Sequence, residues 1–168
     1  MDTRDFLKDL PARAAGQKKE HQGAVKRLRK MRAGDIEALM EELHHRAFDK
    51  IDCLECGNCC RALGPRITER DLIRLARVQG LSAAAFCETF LRRDEDNDWV
   101  FKSMPCPFLG EDNFCFVYEN RPRACADYPH TEGRQVRSRL GELVKNALVC
   151  PAVFLVLEGI VEETGGRG

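Results

Sequence analysis

The sequence has no excess of charge of either sign and no long hydrophobic run. Its 168 residues include 27 basic and 27 acidic side chains, so the formal net charge is zero. A neutral chain produces no overall field that attracts a polyanion, and we therefore do not expect nucleic acid as a partner. The longest apolar stretch, residues 147–157, is about half the length that crosses a bilayer and contains Pro151. We therefore expect no membrane span.

The first ten residues lack the apolar segment of a secretory signal, because charged residues are spread through them. This absence predicts a cytoplasmic protein. In that compartment the nine cysteines remain thiols unless a metal binds them, and the alternative is a disulfide framework. The sequence also lacks a glycine-rich cofactor loop, a Ser/His/Asp arrangement and a paired acid and base, so no catalytic constellation is apparent.

Four of the cysteines that are present lie within eight residues. The segment Cys-Leu-Glu-Cys-Gly-Asn-Cys-Cys contains two overlapping C-x-x-C spacings and a fourth, adjacent cysteine. A C-x-x-C turn brings two sulfur atoms to one metal or one cluster, and Gly57 permits the positive φ that such a turn needs. The spacing predicts a tight loop with four metal ligands: Cys53, Cys56, Cys59 and Cys60.

Four later cysteines are candidate ligands from the second half of the chain: Cys106, Cys115, Cys125 and Cys150. Cys106 and Cys150 are each followed by proline, as is a ligating cysteine of bacterial ferredoxins. The alternative for each of the four is a buried apolar thiol. Cys87 lies between Phe86 and Phe90 on the apolar side of a predicted helix, so we interpret it as part of the hydrophobic core.

Histidines are weaker candidates because cysteine is already in excess. His130 follows Cys125 by five residues, and we place the other three histidines on helix surfaces: His21, His44 and His45. Three arginines flank the cysteine sites: Arg61, Arg121 and Arg123. They either offset the negative charge of a cluster with four thiolates or are simply solvated.

The apolar periodicity predicts a mainly α fold, a small α-helical domain with a cysteine-rich metal-binding loop region and a short β-hairpin. The hairpin would join residues 99–102 to residues 114–118. Helices are predicted at residues 18–32, 34–48, 69–79, 121–128 and 151–162, with a further one capped by Ser82. We divide the chain into an N-terminal helical extension (1–50), a metal-binding domain (51–163) and a flexible tail (164–168). The basic helix at 18–32 is either a solvated face or a binding face.

The motifs CLECGNCC, CPFLGEDNFCFVYENRPRACADYP and the final Cys-Pro resemble the CxxCxxCC cysteine-cluster family, also called YkgJ-like, of zinc- or iron-chelating proteins. The resemblance covers about residues 53–152. It implies a ligand pool of Cys53, Cys56, Cys59, Cys60, Cys106, Cys115, Cys125 and Cys150, and it does not include Cys87. A similar module occurs in flagellin lysine methylases, so the resemblance implies a cofactor class more than a reaction. Ala126 stands where the family commonly has arginine.

Three functions remain open from the sequence. The first is an iron–sulfur protein, with one or two clusters of the [4Fe–4S] type, that serves electron transfer with a redox partner. The second is a zinc-stapled module that binds an unknown protein partner. The third is an accessory subunit of an enzyme such as a methyltransferase. Neighbouring side chains in an extended chain point to opposite sides, so Cys59 and Cys60 favour two metal centres over one.

Overall fold

A computed structural model describes residues 3–165, and it is mainly α-helical with one small hairpin, as the sequence predicts. The helices are α1 (Thr3–Gly16), α2 (Lys18–Leu28), α3 (Ala33–Phe48), α4 (Cys53–Cys56), α5 (Asn58–Ala62), α6 (Glu69–Val78), α7 (Ala83–Phe90), α8 (Arg123–Asp127), α9 (Val136–Asn146) and α10 (Pro151–Gly165). The strands are β1 (Leu91–Arg93) and β2 (Trp99–Phe101). A 3₁₀ turn covers Tyr118–Asn120.

The chain forms two compact units. The first unit contains the chain up to Cys56 and from Pro129 onward, and the second unit is Gly57–Tyr128. The predicted division at residue 50 into an extension and a metal-binding domain stays a prediction. Of the predicted tail, Thr164 and Gly165 end α10, whereas residues 166–168 lie outside the described residues.

Helix α10 is the centre of the first unit. The apolar run at residues 147–157 supplies the first half of α10, so this helix is hydrophobic on most of its sides. A helix of this kind is stable only when it is buried. Pro151 occupies its first position, where a missing N–H costs no hydrogen bond. Gly159 permits a close approach of α3, because a Cβ at this position would meet the side chain of Leu43.

The N-terminal helices α1, α2 and α3 pack into the same core as α10. Their buried residues include Leu10 of α1, Leu28 of α2 and Met40 of α3, all fully buried. The basic helix, predicted at 18–32, ends at Leu28, and its buried stripe is wider than predicted because His21 and Ala24 join Val25 and Leu28. The N-terminal region is thus part of the hydrophobic core of the first unit.

The second unit has a smaller core under short helices and a hairpin. Aromatic side chains dominate it: Phe86 and Phe108 lie with ring centroids 6.3 Å apart, and Phe101 meets Phe108 edge-on at 5.6 Å. The predicted caps of its two longest helices are confirmed. Thr68 and Asp71 form a capping box at α6, and the Ser82 hydroxyl accepts a hydrogen bond from the Ala85 amide at 3.1 Å.

The predicted partner of the strand at Trp99 is wrong. Antiparallel β1 and β2 pair with Arg93 opposite Trp99, whereas residues 114–118 contribute only one bridge, between Leu109 and Cys115. The reason is a tight turn at Asp94, whose carboxylate accepts hydrogen bonds from the amides of Asp96 and Asp98 at 3.0 and 2.9 Å. This turn joins the two strands locally and outcompetes the longer connection.

The predicted loop at residues 53–60 is also corrected, since it contains the two short helices α4 and α5. Gly57 separates them with a φ of 54°, the positive value that the sequence predicts for this glycine. Helices α3, α6, α7 and α10 match the sequence pattern to within a few residues, whereas α1 was not predicted and the helix predicted at 121–128 is confined to α8. Among residues 3–165 no single helix has the length and hydrophobicity to cross a membrane. Helices α9 and α10 have sufficient length and hydrophobicity only when they are taken together, and they are bent by 111° relative to each other.

Candidate metal centre

Two of the predicted ligands in the first unit lie on the one-turn helix α4. Cys53 and Cys56 are three residues apart, so their side chains emerge on the same side of the turn. Asp52 fixes its start: the Asp52 carboxylate accepts a hydrogen bond from the Leu54 amide at 2.8 Å, and the Asp52 carbonyl accepts one from the Cys56 amide at 3.0 Å. The short helix therefore presents two thiols in fixed relation.

The third predicted ligand of this unit, Cys150, immediately precedes α10. Burial raises the pKa of the Cys150 thiol to about 12, although hydrogen bonds from the Val153 and Ala152 amides oppose the shift. Cys56 and Cys53 raise it further by electrostatic repulsion. Repulsion of this kind requires that the sulfur atoms be near one another. We call Cys53, Cys56 and Cys150 the first thiol set.

Four predicted ligands come together in the second unit, although they are far apart in the sequence. The Cys106 amide donates a hydrogen bond to the Cys60 carbonyl at 2.8 Å, which joins α5 directly to the later segment. The bridge between Leu109 and Cys115 then folds that segment back on itself. Backbone pairing thus brings Cys60, Cys106 and Cys115 together.

Cys125 on α8 completes this group. Burial raises its pKa to about 12, and repulsion from Cys60, Cys106 and Cys115 adds to the effect. For Cys106 burial again comes first and raises the pKa to about 11, with repulsion from Cys60 and Cys115. Burial also raises the pKa of Cys115. We call Cys60, Cys106, Cys115 and Cys125 the second thiol set.

Cys60 is the acidic member of the second thiol set. A hydrogen bond from the Cys59 thiol lowers the pKa of Cys60 to about 7 against the effect of burial, and the nearby Arg61 guanidinium lowers it further. Cys59 and Cys60 are consecutive residues of helix α5. The assumption that this segment is extended, with the two side chains on opposite sides, is therefore wrong.

The flanking arginines have different roles. Arg61 donates a hydrogen bond to the Asn113 side chain, and Arg121 lies with its guanidinium carbon 4.0 Å from the centre of the Tyr118 ring. Arg61 lowers the pKa of Cys60, and Arg121 opposes the rise in the pKa of Cys115. Arg123 pairs with Asp127 at 3.2 Å. Two of the three predicted arginines therefore act electrostatically on thiols of the second set.

Asp71 positions the segment that carries Cys125, a role that the sequence did not reveal. Its buried carboxylate accepts a hydrogen bond from the Arg123 amide at 3.1 Å and pairs with Arg74 at 2.5 Å. Burial alone would raise the pKa of Asp71, but hydrogen bonds from Thr68, the Arg123 amide and Arg74 hold the pKa below its usual value. Arg74 also donates to the Arg121 carbonyl at 2.9 Å. Together they attach the start of α8 to α6.

Cys87 and the four histidines belong to neither thiol set. Cys87 packs against the core of the second unit, in keeping with its interpretation as core. His21 is fully buried and lies 2.7 Å from Glu158, so its predicted surface position is wrong. His44 is largely buried too, with Nδ1 2.8 Å from the Thr131 hydroxyl. His45 is exposed, and His130 has a positive φ of 64°.

The chemistry of both sets suits a metal with thiolate ligands. Clustered sulfur atoms that raise one another's pKa cannot all lose their protons unless a cation offsets the charge. All nine cysteines are thiols in the structure. Within residues 3–165 no group of three or more Cys, His, Asp or Glu side chains is arranged to hold an ion as it stands.

Comparison with known proteins assigns the chain to a family. No curated protein and no solved structure matches the chain. A family profile, CxxCxxCC, described as "Putative zinc- or iron-chelating domain", matches residues 52–151. This range contains all eight predicted ligands and more than half of the chain. The chain therefore belongs to the CxxCxxCC family.

Proposed function

We propose that the protein is an iron–sulfur protein with two clusters that serves electron transfer. One cluster would be held by the second thiol set, and the other would have the first thiol set among its ligands. The observation that carries the proposal is the separation of the predicted ligands into these two sets: Cys53 and Cys56 share the single turn of α4 in the first unit, and backbone pairing joins Cys60 to the segment with Cys106 and Cys115 in the second. Four thiolates are the number that completes a four-iron cluster.

Two features suit a cluster of iron and sulfide. Every member of the two sets is a cysteine, and backbone amides donate hydrogen bonds to several of their sulfur atoms. Phe108 and Leu109 donate to Cys106, and Val153 and Ala152 donate to Cys150. Such hydrogen bonds tune the reduction potential of an iron–sulfur cluster, which supplies one-electron chemistry when bound.

The chain's own residues would adjust that potential. Arg61 and Arg121 place positive charge near Cys60 and Cys115, which favours the more negative, reduced state of a cluster and raises its potential. The amides of the first turn of α10 act in the same direction at Cys150. Thiol ligands of this kind fit a reducing compartment, and we propose the cytoplasm.

A zinc-stapled interaction module is the second candidate. Four thiolates also fill a tetrahedral zinc site, and the family description names zinc beside iron. The observation that favours this candidate is the exposed basic side of α2, which suits a binding role without any redox chemistry. In this case zinc would supply folding energy and the protein would bind its partner in one state.

Metal analysis of protein purified without oxygen separates the two candidates. The proposal predicts a brown protein with about eight iron and about eight acid-labile sulfide per chain, the content of two four-iron clusters. Reduction with dithionite should bleach the visible absorption and produce an electron paramagnetic resonance signal. A colourless protein with stoichiometric zinc and no sulfide would refute the iron–sulfur proposal and support the zinc module.

A further inference from the structure

The core fixes which side of α2 faces the solvent. Four residues at helical spacing are buried on one side: His21, Ala24, Val25 and Leu28. The Glu158 carboxylate of α10 holds this orientation, because it lies 2.7 Å from His21 Nε2 and accepts a hydrogen bond from Gln17 at 3.2 Å. Rotation of α2 about its axis would break both contacts and expose the stripe. The opposite side of the helix therefore faces the solvent.

That outward side of α2 and the turn that follows Leu28 are densely cationic. Residues 18–32 contain one acidic residue, Glu20, and seven basic residues that are all exposed: Lys18, Lys19, Lys26, Arg27, Arg29, Lys30 and Arg32. None of the seven forms an ion pair within residues 3–165. Other cations of the first unit do pair, for example Lys8 with Asp5 at 2.7 Å and Arg139 with Glu142 at 3.2 Å. Unpaired like charges at this density cost stability through repulsion, which an acidic partner would relieve.

Helix α9 extends the cationic surface, since it packs beside α2. A Cβ at Gly141 would lie 3.0 Å from the Arg29 guanidinium, so the missing side chain leaves room for Arg29 to lie across α9. Arg137 and Lys145 stand one turn to either side of Gly141 and are exposed. Neither forms an ion pair in the described part of the chain. We call the outward side of residues 18–32 with Arg137 and Lys145 the basic face.

We propose that the basic face docks the acidic surface of a folded partner protein. Lys19 and Arg27 lie about 12 Å apart along α2, and the turn after Leu28 lengthens the patch to a size that suits a small, transient interface. Charge complementarity over such a patch mainly speeds association and selects the partner. The proposal concerns binding only and does not depend on which metal the thiol sets hold.

The surroundings of the basic face favour a protein over the other anionic partners. Helix α3 begins directly after Arg32 and carries the exposed acids Asp35, Glu37 and Glu41, which would repel a nucleic acid that ran beyond the patch. A membrane-binding helix inserts its apolar side, but in α2 that side fills the core. A compact acidic surface can contact the basic face without meeting α3.

The test is fluorescence anisotropy with a labelled acidic plant-type ferredoxin as the probe and the full chain as the titrant, at low and at physiological ionic strength. The altered protein carries Lys19→Gln, Lys26→Gln and Lys30→Gln. The matched control removes three exposed arginines of the second unit: Arg70→Gln, Arg77→Gln and Arg92→Gln. We expect binding that weakens with salt, a loss of about tenfold in the lysine variant and little change in the control.

Three results would overturn the proposal: no binding of the ferredoxin even at low ionic strength, equal losses in both triple variants, or tighter binding of a 20-base-pair DNA duplex or of anionic lipid vesicles to the same lysines. Circular dichroism melts check that both variants fold like the wild type. A zinc-loaded protein that binds the probe normally would refute the iron–sulfur function while leaving the docking proposal intact.

Discussion

The two compact units differ in how much hydrophobic core each has for its thiols. In the described part of the chain the first unit buries 21 apolar residues in one cluster, whereas the second unit buries nine. The second unit nevertheless brings together the four thiols of its set and Cys59. Domains with fewer than about 80 residues rarely reach stability on a small core alone and use metals or disulfides as staples. The comparison teaches that metal should matter far more to the fold of the second unit.

Removal of metal should give the largest effect and test this comparison directly. A structural site supplies about 10 kcal/mol or more of binding energy that is also folding energy. We expect an anaerobic chelator to abolish the protection of amides in the second unit against hydrogen exchange. Helices α3 and α10 should keep theirs, because 21 buried apolar residues stabilise their core and Cys150 is the one proposed ligand that packs against it in the described part of the chain. Mass spectrometry of the exchanged peptides measures both, and an equal loss in the two units would remove the distinction between them.

A smaller effect should follow from Asp71→Asn, which leaves the second unit's thiols in place but weakens the anchor of α8. We expect a loss of about 2–3 kcal/mol in the free energy of unfolding, because a buried carboxylate with several donors is replaced by an amide. Urea titration measures it. The control is Asp127→Asn, whose half-exposed pair with Arg123 should contribute about 0.5 kcal/mol or less.

The effect of Asp71→Asn has a defined pH dependence. The pKa of Asp71 is lowered in the folded state from its ordinary value of 3.8. Its stabilisation is therefore fully present above that value and is lost as the pH falls through the folded pKa. The difference between wild type and Asp71→Asn should be constant from pH 7 to pH 5 and shrink only below about 3.8. A difference that shrinks already near pH 6 would contradict this assignment.

The smallest effect should come from Gly159→Ala in the first unit. A Cβ there would lie against Leu43, and overpacking costs more than the gain in helix propensity of about 1 kcal/mol, so we expect a net loss of about 1 kcal/mol. Thermal unfolding measures it, and metal content should not change. Gly34→Ala is the control, since a Cβ at this position would contact nothing beyond its chain neighbours and the backbone of its own helix. Equal stabilisation by both substitutions would show that α3 and α10 can separate at no cost.

Several helices of both units were predictable because their signals are local, whereas α1 was missed and α4 and α5 were predicted as a loop. Periodicity and caps located α3, α6, α7 and α10 to within a few residues. The signals for two errors were also present. His21 lies at helical spacing from the buried Ala24, Val25 and Leu28, and Asp94 begins a turn-forming sequence between Arg93 and Trp99. Spacing should have placed the histidine in the core and the turn should have identified the hairpin.

The grouping of the thiols could not be read from the sequence. Eight cysteines allow too many combinations, and the observed one depends on a backbone hydrogen bond between residues 46 positions apart, Cys60 and Cys106. The anchor of Cys125 depends likewise on Asp71, which the sequence identified only as part of a cap. The Asp71 carboxylate caps α6 and also accepts the hydrogen bond from the Arg123 amide only after the chain has folded.

The most direct test of two separate metal centres is iron and sulfide analysis of Cys125→Ser, Cys150→Ser and the double variant, prepared without oxygen. Each single variant should retain about half of the iron and sulfide of the wild type, because each loses one of two four-iron clusters. The double variant should retain neither, and Cys87→Ser should retain all of both. If Cys125→Ser or Cys150→Ser alone removes all of the iron and sulfide while circular dichroism shows the helices of the first unit intact, the account of two centres is wrong.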